Sequence, residues 1–316
     1  MRFNPKLALT ICPPSALSIE LSSRCNIQCL CCSVGQGKIP KGDMSVSNFK
    51  RIVNLLPKNI KQLSFSHRGD PTMNVNTPEM IQYAYSKKLV TDLYTNGLLL
   101  NNYIEKFINC GLTTIRIDLD GSSKESYESY RVGSNFDRVK KNIRELVTAR
   151  NSMKKRYPEN IYIICVVSSL NEHEISEMQD MAEKLNVDGI LFKTAITNYG
   201  GKYYNDSDIQ NNLVPKNIAF QRQKRKHQGF TCPFLWRGTI LHNGDFIMCT
   251  ADFEGEYRIG NILEENSFEK IYYGRKAHNT RFKILQGDGL CRTCSVVDEN
   301  HYIKEICRKF NNNNRK

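Results

Sequence analysis

Strand-like and helix-like segments alternate along this 316-residue chain from about residue 17 to residue 195. Six short apolar runs, from ALSIELS at residue 16 to DGILFKT at residue 188, alternate with segments whose apolar residues recur at helical spacing. Consecutive βα units build a parallel sheet whose functional loops lie at the C-terminal ends of the strands. The alternation predicts an α/β fold, a partial (β/α)6 TIM-like barrel.

The positive charge of the chain does not by itself indicate nucleic-acid binding. The formal net charge is +13, and one dense basic run lies on a predicted helix that keeps its apolar residues on a single face. Basic residues do not alternate with aromatic residues as they do in stacking platforms, so we expect no nucleic-acid partner. An anionic substrate is compatible with the charge. The apolar face of this helix consists of Phe136, Val139, Ile143, Leu146 and Val147.

No segment predicts a membrane span or a secretion signal. The N-terminal apolar run is interrupted by Pro13 and Pro14, and no window reaches the roughly 18 apolar residues of a membrane helix. The sequence therefore predicts a cytoplasmic protein, in which twelve cysteines are not expected to form a disulfide framework.

The alternation of strands and helices ends near residue 200, where a polar segment begins. Asn243-Gly244 between two apolar runs predicts a β-hairpin, followed by a strand-like YRIGNI and a helix-like SFEKIYYGRK. The sequence thus predicts a small β-hairpin-plus-helix domain after the barrel. The predicted boundaries are an N-terminal extension at 1–16, the barrel at 17–200, a linker at 201–230, the small domain at 231–300 and a tail at 301–316.

A first cysteine cluster follows the first predicted strand, in the segment IELSSRCNIQCLCCS. Cys25, Cys29 and Cys32 have the spacing C-x3-C-x2-C, and thiolates on so short a loop can converge on one soft metal centre. An iron–sulfur cubane held by three thiolates leaves one iron open for catalysis, whereas structural sites are closed. A zinc ion with His67 as fourth ligand is the alternative. Cys31 is assigned a packing role.

A second cysteine set lies in the C-terminal part. Cys232 and Cys249 bracket the predicted hairpin, and Cys291 and Cys294 form a C-x2-C pair. Four thiolates make a closed site that zinc and a [4Fe–4S] cluster both satisfy. The remaining cysteines are expected to behave as small buried hydrophobic residues. They are Cys12, Cys110, Cys165 and Cys307.

The barrel region resembles the radical S-adenosylmethionine (radical SAM) superfamily, whose signature is the three-cysteine loop after the first strand. The resemblance extends over residues 17 to 195 and includes YTNG after the third strand and IRIDLDG at the fourth. In place of the family's Gly-Gly-Glu-Pro-like turn the chain has Arg68-Gly69-Asp70-Pro71, with arginine for the first glycine and aspartate for glutamate. The resemblance implies that Gly69, Asp70, Asp118 and Arg131 contact S-adenosylmethionine (SAM).

The resemblance also implies cofactors and chemistry. A [4Fe–4S] cluster on Cys25, Cys29 and Cys32 would bind SAM and cleave it to a 5′-deoxyadenosyl radical, with electrons from a flavodoxin- or ferredoxin-type reductant. Residues 230 to 296 resemble the SPASM domain and its shortened form, twitch. Because the two further cysteines of full SPASM are missing, this likeness implies one auxiliary [4Fe–4S] cluster on the second cysteine set.

Three functions remain open from the sequence. The auxiliary cluster as electron acceptor favours oxidation, whereas hydrogen return from a cysteine such as Cys307 would give epimerisation. The short N-terminal extension favours a small or carbohydrate-type substrate. A peptide maturase with a separate leader-binding partner is the second hypothesis, and a non-catalytic iron–sulfur electron carrier is the third.

Overall fold

The computed structural model describes residues 14–30, 32, 34, 39–196, 212–222, 232–287, 289–292 and 294. Its strands, in chain order, are β1 (Ala16–Ile19), β2 (Gln28–Cys29), β3 (Gln62–Phe65), β4 (Val90–Thr95), β5 (Thr114–Asp118), β6 (Arg131–Val132), β7 (Asn160–Val167), β8 (Gly189–Thr194), β9 (Thr239–Ile240), β10 (Asp245–Ile247) and β11 (Arg258–Asn261). Its α-helices are α1 (Val46–Leu55), α2 (Thr77–Ser86), α3 (Ile104–Asn109), α4 (Lys124–Tyr130), α5 (Phe136–Asn151), α6 (Ile175–Lys184), α7 (Ile262–Glu265), α8 (Phe268–Tyr272) and α9 (Arg275–Gln286).

Six parallel strands form the main part of the sheet, in the order β1-β3-β4-β5-β7-β8. Alternate strand residues such as Leu93, Ile115 and Ile163 are fully buried and belong to the hydrophobic core, which also contains the inward residues of α5 and α6. The intervening residues face the other side of the sheet. The predicted α/β fold with a partial (β/α)6 barrel is confirmed.

The basic helix α5 illustrates how the local sequence sets this arrangement. All five residues of the predicted apolar face are buried. The helix begins after Asn135, whose side chain accepts a hydrogen bond from the Arg138 backbone N–H at 2.8 Å and so caps the first turn. Its lysines therefore lie on the solvent side.

The C-terminal hairpin extends the barrel sheet at its first strand. β9 pairs in parallel with β1, and β10 pairs antiparallel with both β9 and β11. The predicted turn is present, with Gly244 at φ +88°. The sheet therefore has nine strands within the described residues, and the hairpin that precedes Cys249 lies beside β1.

Helix α9 was not predicted beyond Lys276. It begins after Gly274 without a side-chain cap, and its buried face includes the polar residues Thr280 and Arg281, so its sequence lacks both usual signals. Arg281 lies over the Tyr272 ring, with 4.2 Å from the guanidinium carbon to the ring centroid. This cation–π contact explains how an arginine takes a core position.

Several sequence predictions fall outside the described residues. They concern Cys12, Cys31, Cys307, the tail at 301–316 and much of the linker at 201–230. Cys110 and Cys165 are described, and both are buried as expected. None of the helices in the described part of the chain combines the length and apolarity that a membrane span requires.

Candidate functional site

The three-cysteine loop is held at the C-terminal end of the barrel by a short ladder. β2 pairs antiparallel with β6, so that Cys29 lies opposite Arg131, and the Leu30 N–H donates to the Tyr130 carbonyl at 3.1 Å. The Cys32 N–H donates to the Cys29 carbonyl at 3.1 Å, which turns the chain between these two cysteines. Sequence reasoning missed this ladder because two-residue strands carry no periodic signal.

The surroundings of the thiols fit a metal centre. Arg131 Nη1 lies 3.5 Å from Cys29 Sγ, and Asn96 Nδ2 lies 3.7 Å from Cys25 Sγ. Burial raises the pKa of Cys25 to about 11, and Asp70 adds to this increase. Burial also raises the pKa of Cys29, with Arg131 acting in the opposite direction. Because ligation needs thiolates, a cationic metal centre beside these partly buried thiols would supply the missing charge.

The turn after β3 packs directly against the cysteine loop. Gly69 has φ +63°, and a Cβ atom there would lie 2.5 Å from the carbonyl oxygens of Ser22 and Arg24. The Asp70 N–H donates to the Arg24 carbonyl at 2.7 Å. Only glycine permits this approach of the two backbones.

The Asp70 side chain is engaged within the protein. Its buried carboxylate accepts hydrogen bonds from the Thr72 N–H at 2.8 Å, the Asn96 N–H at 2.7 Å and the Thr95 hydroxyl at 3.0 Å. Asp70 thereby joins the predicted cofactor turn to the end of β4. Its predicted contact with SAM stays a prediction.

Asp118 and Arg131, both predicted to contact SAM, lie together. Arg131 Nη1 is 3.3 Å from Asp118 Oδ2, and Arg131 Nε donates to Asp120 Oδ2 at 2.5 Å. Asp120 also accepts from the Val166 N–H at 2.6 Å and so joins β5 to β7. Burial raises the pKa of Asp118 to about 6, although Arg131 opposes this increase. Arg131 therefore links the ends of the central strands to Cys29.

His67 contacts the C-terminal segment. Its Nδ1 lies 3.1 Å from the Thr250 carbonyl oxygen, and its ring stacks on Phe253 with centroids 5.0 Å apart. Its buried Nε2 has no hydrogen-bond partner among the described residues. These two contacts place the ring against residues just beyond Cys249, whereas the zinc alternative requires His67 to ligate with Cys25, Cys29 and Cys32.

The second cysteine set forms a partly buried group. Burial raises the pKa of Cys249 and Cys232, and the Cys294 thiol adds to both increases, which indicates that these sulfurs lie near one another. Cys249 Sγ accepts from the Ala251 N–H at 3.4 Å, and Tyr257 Oη lies 3.7 Å from Cys291 Sγ.

The arrangement of the donor side chains does not favour a single ion. Across the described ranges, no three His, Cys, Asp or Glu side chains are placed to ligate one ion. A [4Fe–4S] cluster differs in distributing its thiolates over four irons.

Charged and aromatic side chains that the sequence interpretation did not select line the concave face of the barrel. Arg116 Nε donates to Asp92 at 2.8 Å, and its guanidinium lies over the rings of Tyr94 and Tyr162 at 5.5 and 5.4 Å. Lys193 of β8 lies over Tyr94 at 5.4 Å. The period-2 alternation of the strands places such residues away from the core and could have identified them.

Similarity to known proteins identifies the family of this chain. The sequence profile "Radical SAM superfamily" matches residues 19–182, just over half of the chain, and the SPASM profile, "Iron-sulfur cluster-binding domain", matches residues 232–295. A probable GTP 3′,8-cyclase of Methanococcus maripaludis is 28% identical over 132 residues, 41% of this chain and 44% of that protein. The chain thus spans less than half of the length of this relative. The mycofactocin maturase MftC of Mycolicibacterium smegmatis is 22% identical, covering 90% of this chain and 76% of MftC.

Solved structures have a similar fold at low identity. Streptococcus suis SuiB bound to the precursor peptide SuiA has a TM-score of 0.63 and 17% identity, covering 90% of this chain and 71% of SuiB. BtrN in complex with AdoMet and 2-DOIA has a TM-score of 0.56 and 15% identity, covering 91% of this chain and 95% of BtrN. The two profile matches imply a [4Fe–4S] cluster that binds SAM and an auxiliary iron–sulfur cluster. The chain belongs to the radical SAM superfamily and carries a SPASM iron–sulfur domain at its C-terminal end.

Proposed function

We propose that this chain is a radical SAM oxidoreductase that removes two electrons from a substrate bound in the concave face of its barrel. Cys25, Cys29 and Cys32 would hold the cluster that binds SAM. The observation that supports this most directly is the position of Arg131, which lies within 3.5 Å of both Cys29 Sγ and Asp118 Oδ2. This arginine connects the thiol loop to the face on which a substrate would lie.

The chain's own residues prepare the site. When bound, the cluster and SAM supply a 5′-deoxyadenosyl radical that removes a hydrogen atom from the substrate. Gly69 allows the cofactor turn to approach the cysteine loop, and Asp70 fixes that turn against β4. Asp118 pairs with Arg131 on the concave face, and burial raises its pKa to about 6.

The second cysteine set would hold the auxiliary cluster as an electron acceptor. Its four proposed ligands are thiols, which leaves no open position for substrate and favours electron transfer. His67, immediately before the cofactor turn, lies 3.1 Å from the Thr250 carbonyl oxygen, and Arg68, in the turn, is joined to His242 through Glu20. Packed protein therefore joins the two proposed centres. The proposed ligands are Cys232, Cys249, Cys291 and Cys294.

The test is formation of 5′-deoxyadenosine by anaerobically reconstituted protein with SAM and dithionite, which replaces the proposed flavodoxin- or ferredoxin-type donor. We expect product from the wild type and from Cys110→Ser, a buried cysteine outside both sets. Cys29→Ser should form none. Protein that retains its clusters but cleaves no SAM would contradict the proposal and favour a non-catalytic electron carrier.

Peptide maturation is the second candidate function. It is supported by the likeness to MftC over 90% of the chain and to SuiB, which was solved with its precursor peptide. BtrN, solved with 2-DOIA, supports the small-molecule alternative. Coexpression with a short peptide encoded beside the gene, together with a leader-binding partner, distinguishes the two. A loss of about two mass units from that peptide favours maturation.

A further inference from the structure

The concave face of the barrel has two layers of polar side chains. Tyr94, Arg116 and Tyr162 are direct cross-strand neighbours on β4, β5 and β7, and they form the lower layer. Arg116 lies between the two rings and pairs with Asp92 at 2.8 Å. The charge of Arg116 is therefore balanced within the protein.

Asp118 and Lys193 lie nearer the C-terminal ends of their strands. Asp118 is the last residue of β5, and Lys193 pairs in register with Val166 on β7. β8 is separated from β4 by two strands, yet Lys193 Nζ lies 5.4 Å from the Tyr94 ring centroid. Curvature of the sheet shortens this path, because three strand spacings of about 4.8 Å would separate the two strands in a flat sheet. The Lys193 side chain therefore reaches across the concave space below the cysteine loop.

Lys193 differs from the other cations of this face. Arg116 pairs with Asp92, and Arg131 pairs with both Asp118 and Asp120. No aspartate or glutamate of the described residues forms an ion pair with Lys193. Lys193 is nevertheless an exposed residue, so a molecule in the concave space can contact it.

We propose that Lys193 binds an anionic oxygen group, a carboxylate or a phosphate, of the substrate. This inference rests on the proposed function, because it assigns the concave face to substrate. The surrounding barrel restricts hydration of the ammonium and lowers the pKa of Lys193, although the side chain stays accessible from the concave space; Asp118 acts to raise this pKa. A bound anion would favour the charged ammonium and would give Lys193 an ion-pair partner. A carboxylated or phosphorylated substrate is therefore the expected class.

Covalent labelling tests the site without knowledge of the substrate. Pyridoxal 5′-phosphate carries a phosphate and an aldehyde, and the aldehyde condenses with a lysine amine to an imine with loss of water. Borohydride reduces the imine to a secondary amine that mass spectrometry locates. The probe is added to cluster-loaded protein without SAM, in the presence of inorganic phosphate, succinate or sodium chloride at equal ionic strength. Lys141, a solvent-exposed residue on α5, is the matched control.

We expect phosphate or succinate to reduce labelling of Lys193 by roughly tenfold at concentrations about ten times their dissociation constant, relative to sodium chloride. Labelling of Lys141 should stay unchanged. Protection by phosphate alone assigns a phosphate substrate, and protection by succinate alone assigns a carboxylate. In Lys193→Arg the protected site should disappear, whereas Lys141→Arg should retain it.

Equal labelling of Lys193 in all three salts, or no labelling of it, would overturn the inference. This failure differs from failure of the proposed function. Loss of protection with normal 5′-deoxyadenosine formation rejects only the role of Lys193. Protection without 5′-deoxyadenosine formation rejects the enzymatic proposal and leaves the anion site.

Discussion

Arg68 forms a bidentate ion pair with Glu20, with Nε 2.6 Å from Oε2 and Nη2 2.8 Å from Oε1. His242 Nδ1 lies 2.8 Å from the same Glu20 Oε1. Glu20 follows β1, Arg68 follows β3 and His242 lies in the β9–β10 hairpin, so the three join the cofactor turn to the SPASM domain. The arginine that replaces the first glycine of the family-like turn directs its guanidinium to Glu20.

Removal of Arg68 should destabilise the protein strongly. Burial acts to raise the pKa of Glu20, but hydrogen bonds from Arg68 and His242 outweigh it and lower the pKa to about 2. In Arg68→Ala the buried carboxylate loses its cation, which typically costs about 3–5 kcal/mol. Thermal unfolding of the anaerobic protein should occur roughly 6–10 °C lower.

The matched control is Lys50→Ala, which breaks the exposed Lys50–Glu79 pair at 2.8 Å. Exposed pairs contribute about 0–1 kcal/mol, so its unfolding temperature should change by roughly 2 °C or less. Equal shifts in the two variants would show that burial of the Arg68–Glu20 pair has no energetic consequence.

His67 should make stability depend on pH in the weakly acidic range. Burial lowers the pKa of His67 to about 4, with Glu20 acting to raise it and Arg68 to lower it. Between about pH 6.5 and pH 4 the unfolded chain therefore binds a proton that the folded chain does not. The stability that neutral His67 contributes to the folded state is present above pH 6.5, and it is lost as the pH falls towards 4. At pH 5 the loss is about 1–2 kcal/mol.

The measurement is the thermal unfolding temperature at pH 7.5 and pH 5. His67→Asn removes the titratable ring and keeps a side-chain hydrogen-bond donor. Between pH 7.5 and pH 5 the unfolding temperature of His67→Asn should decrease by roughly 2–4 °C less than that of the wild type. The same substitution at the exposed His173 should leave the wild-type decrease unchanged. A parallel decrease in His67→Asn and wild type would reject this role.

Local sequence patterns predicted the barrel well because strands and tight turns are determined by residues close together in the sequence. The alternation of apolar runs located the six parallel strands, and Asn243-Gly244 located the hairpin. The pairing of β2 with β6 and the ion pair between Arg68 and Glu20 were not predictable in this way. Residues 48 positions apart form that pair, and one sequence contains no signal for contacts between distant charges.

The residues of the candidate site also differ in whether the sequence could identify them. The cysteine spacing marked the loops, and the family resemblance marked Asp118 and Arg131. Lys193 was overlooked because LFKT reads as an ordinary strand with one polar residue. Its position becomes informative only when curvature of the sheet brings it to Tyr94.

Gly69 should not tolerate a side chain. Alanine at φ +63° costs about 1–2 kcal/mol, and its Cβ would lie 2.5 Å from two backbone carbonyl oxygens, which forces the turn and the cysteine loop apart. We expect Gly69→Ala to lose iron from the first cluster and to unfold roughly 6 °C or more below wild type. Gly255 separates the cost of a positive φ from the steric clash. It has φ +79°, but no heavy atom lies within 4 Å of the position that a Cβ would take. Gly255→Ala should retain its iron, and similar iron loss in both variants would contradict the steric explanation.

The hydroxyl of Tyr257 should raise the reduction potential of the auxiliary cluster. Tyr257 Oη lies 3.7 Å from Cys291 Sγ, within hydrogen-bonding distance for sulfur, and hydrogen bonds to cluster sulfurs stabilise the more negative, reduced state. Tyr257→Phe removes about 1 kcal/mol of this stabilisation, which corresponds to about 40 mV for one electron. A redox titration followed by electron paramagnetic resonance should therefore give an auxiliary potential about 40 mV more negative, with the potential of the SAM-binding cluster unchanged.

The control for this prediction is a tyrosine hydroxyl far from any cysteine of the two sets. Tyr83→Phe, which loses an exposed hydrogen bond to Asn54 of 2.8 Å, should change neither potential. If the auxiliary potential of Tyr257→Phe equals that of Tyr83→Phe, the hydroxyl does not act on the cluster and the contact with Cys291 serves packing alone.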